Sequence, residues 1–245
     1  IVDIDFTDIC VNAKKASREL SLLDGRQRNQ ILLRIASRVL ESKSVILDAN
    51  KIDYEKASNA GVDLHVLDRL YLNEEKIDAI VDAIYHIVEL DDPLDIEYDT
   101  SVRPNGLNIS KISVPLGVIG TIYESRPNVT LDIVALCVKS GNVSILKGGS
   151  DTLNTNATIV ATIQKGLTDL KLNPNIVQFI NSSDREYVDL MLSATNYIDL
   201  IIPRGGASLV NFVREKSKVP AITGGIGVCH IYVDEQWINK LPKIE

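Results

Sequence analysis

The sequence predicts an α/β fold: N-terminal helices followed by a doubly wound, mostly parallel Rossmann-like sheet, with a protruding β-hairpin. Three observations carry this. From residue 115 onward, short apolar runs alternate with helical segments, giving five strand-to-helix steps. The runs Gly117–Tyr123 and Val143–Leu146 are apolar on consecutive positions, as strands covered on both faces are. Residues 7–92 instead repeat apolar side chains at helical spacing.

Taken in order, Thr7 or Asp8 suits the cap of a first helix whose apolar face uses Val11, Ala13, Ala16, Leu20 and Leu23. Asp24 caps a second, with Ile31, Leu32, Ile35, Ala36, Val39 and Leu40 at helical spacing. A third runs from Lys43 to Ala60 and stops at Gly61, a short one follows from Val62 to Leu70, and Asn73 opens Glu74–Leu90. Asp92-Pro93 closes this helical part, residues 1–93. Residues 94–114 alternate on both sides of Asn105-Gly106, the signal of a hairpin. Such a hairpin needs another sheet or another subunit to cover it. Residues 115–245 form the Rossmann-like part. Strands are predicted at 117–123, 143–146, 176–180, 198–202, 219–222 and 229–233, and helices at 130–140, 151–168, 184–193 and 206–216.

Composition narrows the function. With 45% apolar residues in 245, the chain can bury a sizeable core. Lys and Arg total 26 against 33 Asp and Glu, a net charge of −7 with no basic run, which argues against a nucleic-acid partner. The three cysteines, Cys10, Cys137 and Cys229, are far apart and form no CxxC, so neither disulfides nor a metal site is expected and a reducing cytoplasmic setting is favoured. No apolar run reaches membrane-spanning length. His65 and His86 read as helix-surface residues, since nothing nearby completes a metal set.

The sequence contains neither GxGxxG nor GxxxxGK[ST]. What remains is a series of polar strand ends, where open α/β sheets bind ligands. In Glu124-Ser125-Arg126-Pro127-Asn128, Arg126 can grip a phosphate or carboxylate, and Asn128 can offer an amide NH₂ to an oxyanion. The plainer reading is a surface turn in which Asn128 or Thr130 is an N-cap. In Lys147-Gly148-Gly149-Ser150, the lysine can reach ribose hydroxyls or a 2′-phosphate, the glycines let backbone approach a ligand, and the following helix start attracts anions. The alternative is a solvated lysine and a Gly-Gly turn. Pro203-Arg204-Gly205-Gly206 opens a helix on which a pyrophosphate could rest, or is simply a tight turn. Gly224, Gly225 and Gly227 suggest close backbone approach beside Cys229-His230. Those two neighbours point to opposite faces of an extended strand, so they do not pair as nucleophile and base, and Cys229 reads as a core or pocket-wall residue.

VPLGVIGTIYESRPNVTLDIVALCVKSGNVSILKGGS, YIDLIIPRGGASLV and VPAITGGIGVCHIYVDE closely resemble the γ-glutamyl phosphate reductase (glutamate-5-semialdehyde dehydrogenase) family, a branch of the aldehyde dehydrogenase superfamily. The likeness covers nearly the whole chain. It implies an aldehyde dehydrogenase-like fold and NADPH-dependent reduction of L-glutamyl 5-phosphate to L-glutamate 5-semialdehyde with release of phosphate, the second step of proline biosynthesis. In the family a cysteine thiolate displaces phosphate and the resulting thioester is reduced. The resemblance makes Asn128 the oxyanion donor; it gives Arg126 no equally firm role, and the substrate phosphate is the place expected for Arg126, with Ser125. It gives Lys147, Gly148, Gly149 and Ser150 to the adenosine ribose, and Arg204, Gly205, Gly206 and Gly225 to the rest of the NADP cofactor. It also implies a homodimer in the full-length form and coupling to glutamate 5-kinase. Two departures stand out. No water-activating acid precedes Gly224-Gly225, which suits a reaction without hydrolytic water. The family's catalytic cysteine lies beyond GVCHIYVDE, so the nucleophile is expected outside this chain and the chain alone is expected to be inactive. The competing reading is a non-catalytic, nucleotide-binding half-protein.

Overall fold

The parallel sheet is assembled late in the chain, on a scaffold of helices laid down first. The structure, a computed structural model, describes residues 5–124, 126–224, 228–232 and 234. The expectations for Ser125, Gly225, Gly227 and residue 233 lie outside these.

Helix α1 (Phe6–Leu20) is capped by Asp5, whose carboxylate accepts from the amides of Thr7 and Asp8 at 2.9 and 3.2 Å. The cap is therefore upstream of the two candidates read from sequence, which supply the amides instead. Asp24 caps α2 (Gly25–Glu41) in a reciprocal box with Gln27. Helices α3 (Lys43–Asn59), α4 (Leu64–Leu70) and α5 (Glu74–Glu89) follow, the last opened by Asn73 as expected. Strands β1 (Glu97–Val102) and β2 (Asn108–Ile112) form the predicted antiparallel hairpin, exposed along almost its whole length.

The α/β part then runs β3 (Val118–Tyr123), α6 (Asn128–Lys139), β4 (Val143–Lys147), α7 (Leu153–Asp169), β5 (Val177–Phe179), α8 (Glu186–Ser193), β6 (Leu200–Arg204) and α9 (Ala207–Lys216). The four strands are parallel in the order β5-β4-β3-β6. Every residue of β3 and β4 is buried, which is why their sequences do not alternate. The chain steps outward from β3 to β5 and then returns to place β6 on the other side of β3. That reversal makes the carboxyl ends of β3 and β6 a topological switch point, where open α/β sheets bind ligands.

Two predicted strands differ. Residues 219–222 contribute a single parallel bridge, Ala221 to Ile201, with the Ile201 amide donating to the Pro220 carbonyl at 2.8 Å. Pro220 has no N–H to extend a ladder. Residues 229–232 form no strand, and Ile231 and Tyr232 are exposed, so apolar character there reflects no burial within this chain.

One hydrophobic cluster joins Ala13, Ala16 and Leu20 of α1, Ile31 and Ile35 of α2 and Ile77 and Ile84 of α5 to the sheet residues Val118, Ile145 and Ile201. Helix α1 lies against β3, β4 and β5, while α2 packs on α5, α6 and α7. Polar ties fix this arrangement. Asp199 receives Lys14 Nζ of α1 at 2.7 Å and the Val118 amide at 2.8 Å. The carboxylate comes so close that a Cβ on Gly117, whose φ is +122°, would sit 2.2 Å from it. Buried Arg28 holds Asp92 through Nη2 at 2.7 Å and donates to the Lys139 carbonyl, locking α2 to the end of α6.

Candidate active site

Three strand ends meet at the carboxyl edge of the sheet. In register, Ile122 of β3 pairs with Lys147 of β4, and Tyr123 with Arg204 of β6. The segments after β3, β4 and β6 are thus neighbours, as a ligand crevice at a switch point requires.

After β3, the Glu124 amide donates to the Arg204 carbonyl at 3.1 Å, and the Glu124 carboxylate accepts from the Gly206 amide at 2.8 Å. Gly206 is the N-cap of α9, and no side chain of its own caps that helix. A carboxylate therefore stands at the positive end of α9. Gly205 leaves room for this carboxylate: a Cβ there would lie 2.5 Å from it and push the Glu124 side chain aside. Arg126 is exposed.

Helix α6 begins two residues earlier than predicted, which removes the N-cap reading of Asn128. Pro127 occupies the cap position without a side-chain bond, and Asn128 is the first helical residue. Neither Asn128 nor Thr130 caps the helix. The Asn128 amide Nδ2 instead reaches Asp132 Oδ2, one turn on, at 3.5 Å. Asp132 is half-buried; desolvation raises its pKa, against opposing effects of Arg204 and the Asn128 hydrogen bond. Thr130 belongs to a buried chain: the Tyr123 hydroxyl lies 2.7 Å from Thr130 Oγ1, which donates to Asn156 Oδ1 at 2.9 Å, while Asn156 Nδ2 donates to Thr152 at 2.8 Å. The chain ties the end of β3 and the start of α6 to the start of α7. Burial raises the Tyr123 pKa, so its hydroxyl stays protonated.

Lys147 is not a solvated lysine. Only 5% of it is exposed, and Nζ donates to the Gly148 carbonyl at 3.1 Å. Desolvation lowers its pKa, partly opposed by the charge of Asp184. Gly148 is required by packing within the fold, since a Cβ would meet Asn156 Nδ2 at 2.4 Å. Ser150 is exposed and opens a 3₁₀ turn with Asp151 and Thr152. The anion site expected at the start of α7 is already taken. Buried Asp53, from α3, accepts from the amides of Asn154 and Thr155 at 3.3 and 2.8 Å, and from their side chains at 2.8 and 2.6 Å. Nothing in the sequence near residue 53 points to this contact. Asp132 did leave a signal, a charge one turn beyond Asn128 in an otherwise apolar helix.

The thiols divide by environment. Burial pushes Cys10 up to about 11 and Cys137 up to about 12, so neither is a thiolate near neutrality. Cys229 is exposed, so it is not the core residue that the sequence allowed. Among the described residues, no group of three or more His, Cys, Asp or Glu is placed to hold a metal ion, and no helix is long and apolar enough to cross a membrane. A surface cleft of about 860 Å³ opens between α2, the end of α5 and the end of α6, beside Asn29, Asp92 and Lys139. The Lys139 ammonium there is consumed by the oxygens of Asn29, Val88 and Leu90.

The fold is that of the aldehyde dehydrogenases. A probable aldehyde dehydrogenase from Listeria monocytogenes superposes with a TM-score of 0.69 at 16% identity, over 89% of this chain and 45% of that one. Within that class, the chain's relatives are the γ-glutamyl phosphate reductases. The enzyme of that name from Desulforamulus reducens is 46% identical over 227 residues, 93% of this chain and 55% of the relative. That from Vibrio parahaemolyticus is 44% identical over 95% of this chain and 56% of the relative. The crystal structure of the Thermotoga maritima enzyme matches with a TM-score of 0.91 at 40% identity, over 95% of this chain and 56% of that one. The chain thus spans about half the length of the relatives it matches. No protein-family model matches it.

Proposed function

We propose that this chain is the helical and cofactor-binding part of a γ-glutamyl phosphate reductase, acting in proline biosynthesis. The reaction is reduction of L-glutamyl 5-phosphate to L-glutamate 5-semialdehyde with release of phosphate. The observation that carries this reading is Asn128: it opens α6 at the carboxyl end of β3, with the ends of β4 and β6 beside it. The named relatives at 44–46% identity supply the reaction.

The residues present fit a nicotinamide cofactor. Gly206 presents an exposed helix N-terminus to a pyrophosphate, and the Glu124 carboxylate on its amide stands in for such an anion. Lys147, with a single carbonyl partner, is available to ribose hydroxyls or a 2′-phosphate beside Ser150. NADPH would supply the hydride. The Asn128 amide would donate to the acyl oxygen as negative charge develops on it, and Arg126 with Ser125 would hold the leaving phosphate. The nucleophilic cysteine is assigned to the part of the relatives that this chain does not match. We assign residues 1–93 and 115–245 to one cofactor-binding unit, and the exposed hairpin 94–114 to a subunit contact.

Fluorescence titration with NADPH and NADH tests the reading. Saturable binding that Lys147→Met weakens about tenfold supports it. An absence of binding to either cofactor argues for the alternative, a half-protein with another ligand.

A further inference from the structure

Asp132 has no task in the reaction as described. It sits one turn after Asn128, and i and i+4 residues share a helix face. That face is the one the chain's own core leaves open: Asn128 and Asp132 are half-buried, and Leu136, the next residue on it, is 54% exposed. The intervening residues Val129, Thr130, Leu131, Val134 and Ala135 are buried. A carboxylate is costly there unless something uses its charge. Among the described residues its hydrogen bond is the long one from Asn128, 3.5 Å, and the charge of Arg204 acts on it without forming a salt bridge.

We propose that Asp132 is the subsite for the α-ammonium group of the substrate, so that it selects an amino-acid acyl group over a plain one. This rests on the reductase reading above. The spacing agrees with the chemistry. In a glutamyl group, four bonds separate the acyl carbon from the ammonium nitrogen, about 5 Å when extended. With the acyl oxygen on Asn128 Nδ2, the carboxylate 3.5 Å from that nitrogen lies within reach of the ammonium. A charge-assisted bond to a half-buried carboxylate discriminates strongly against an analogue that lacks the donor.

The test compares two aldehydes in the oxidative direction, with NADP⁺ and inorganic phosphate, on the natural full-length protein. One is glutamate 5-semialdehyde; the other is 5-oxopentanoate, which lacks the amino group. Wild type and Asp132→Asn are measured with both. The readout is the ratio of the two kcat/KM values, because any disturbance of Asn128 or of folding cancels from it. The expected result is a ratio about 10- to 100-fold lower in Asp132→Asn, with the loss confined to the amino substrate. An unchanged ratio overturns the ammonium contact and leaves the reductase reading intact. A wild type that oxidises neither aldehyde, while the Thermotoga maritima enzyme does so in parallel, overturns the reductase reading and this proposal with it.

Discussion

Asp53 and Thr155 are joined by two hydrogen bonds, from the Thr155 amide at 2.8 Å and its hydroxyl at 2.6 Å, across 102 residues of sequence. Helix α7 has no side-chain cap of its own. The cap is supplied from α3, and it fixes the loop Gly148–Ser150 that precedes α7. Asp53→Ala should therefore cost about 3 kcal/mol, since it strips a cap and leaves buried donors unsatisfied. Urea denaturation will measure the loss. It should also weaken cofactor binding, and a variant that loses stability without losing affinity would show that the loop is held by other contacts.

Glu124 occupies the amide of Gly206, where the proposed pyrophosphate would bind. An anionic ligand must displace this carboxylate or sit beside it. Glu124→Ala should therefore tighten NADPH binding about two- to fivefold, the scale of one charge at an exposed helix terminus. Isothermal titration calorimetry decides the sign. Weaker binding would assign Glu124 to holding the β6–α9 turn in shape rather than to competing for it.

Lys147 is a base whose pKa is lowered by burial. Its folded value lies below the unfolded 10.5, so the unfolded chain binds more protons between the two. The charged lysine thus opposes folding at neutral pH, and this opposition fades as pH rises toward 10.5. Lys147→Met should be stabilising near pH 7, and the gain should shrink as pH rises. Paired denaturation curves at pH 7 and pH 10 will show it.

Asp169 receives Arg34 Nη2 and Arg38 Nε at 2.6 Å each, and these hold its pKa at about 2. A depressed carboxylate stabilises the fold above its unfolded pKa of 3.8, and that contribution disappears as pH falls through about 2. Asp169→Asn should be less stable than wild type at neutral pH and indistinguishable from it near pH 2. Because the cluster is at the surface, 1 M salt should also narrow the neutral-pH gap.

Local chemistry wrote much of this fold directly into the sequence. Consecutive apolar residues at 118–123 and 143–147 declare strands buried on both faces, Asp24 and Asn73 declare helix starts, and Asn105-Gly106 declares the hairpin. These signals depend on neighbours a few residues apart, so they survive without a structure. The polar strand ends around Asn128, Lys147 and Gly206 were legible for the same reason. The segments at 219–222 and 229–232 looked like strands because apolar composition alone does not reveal whether a partner strand is available.

Tertiary structure decided what those polar groups face. Asn128 turned from a possible cap into an amide that donates to Asp132, because α6 starts at Asn128 itself. Lys147 became a buried cation, because β4 lies inside the sheet. The α7 terminus is capped by Asp53 and the α9 terminus by Glu124, carboxylates distant in sequence from the helices they serve. Hydrogen bonds of that range leave no periodic trace in a chain, and they appear only once the packing brings the donors and acceptors together.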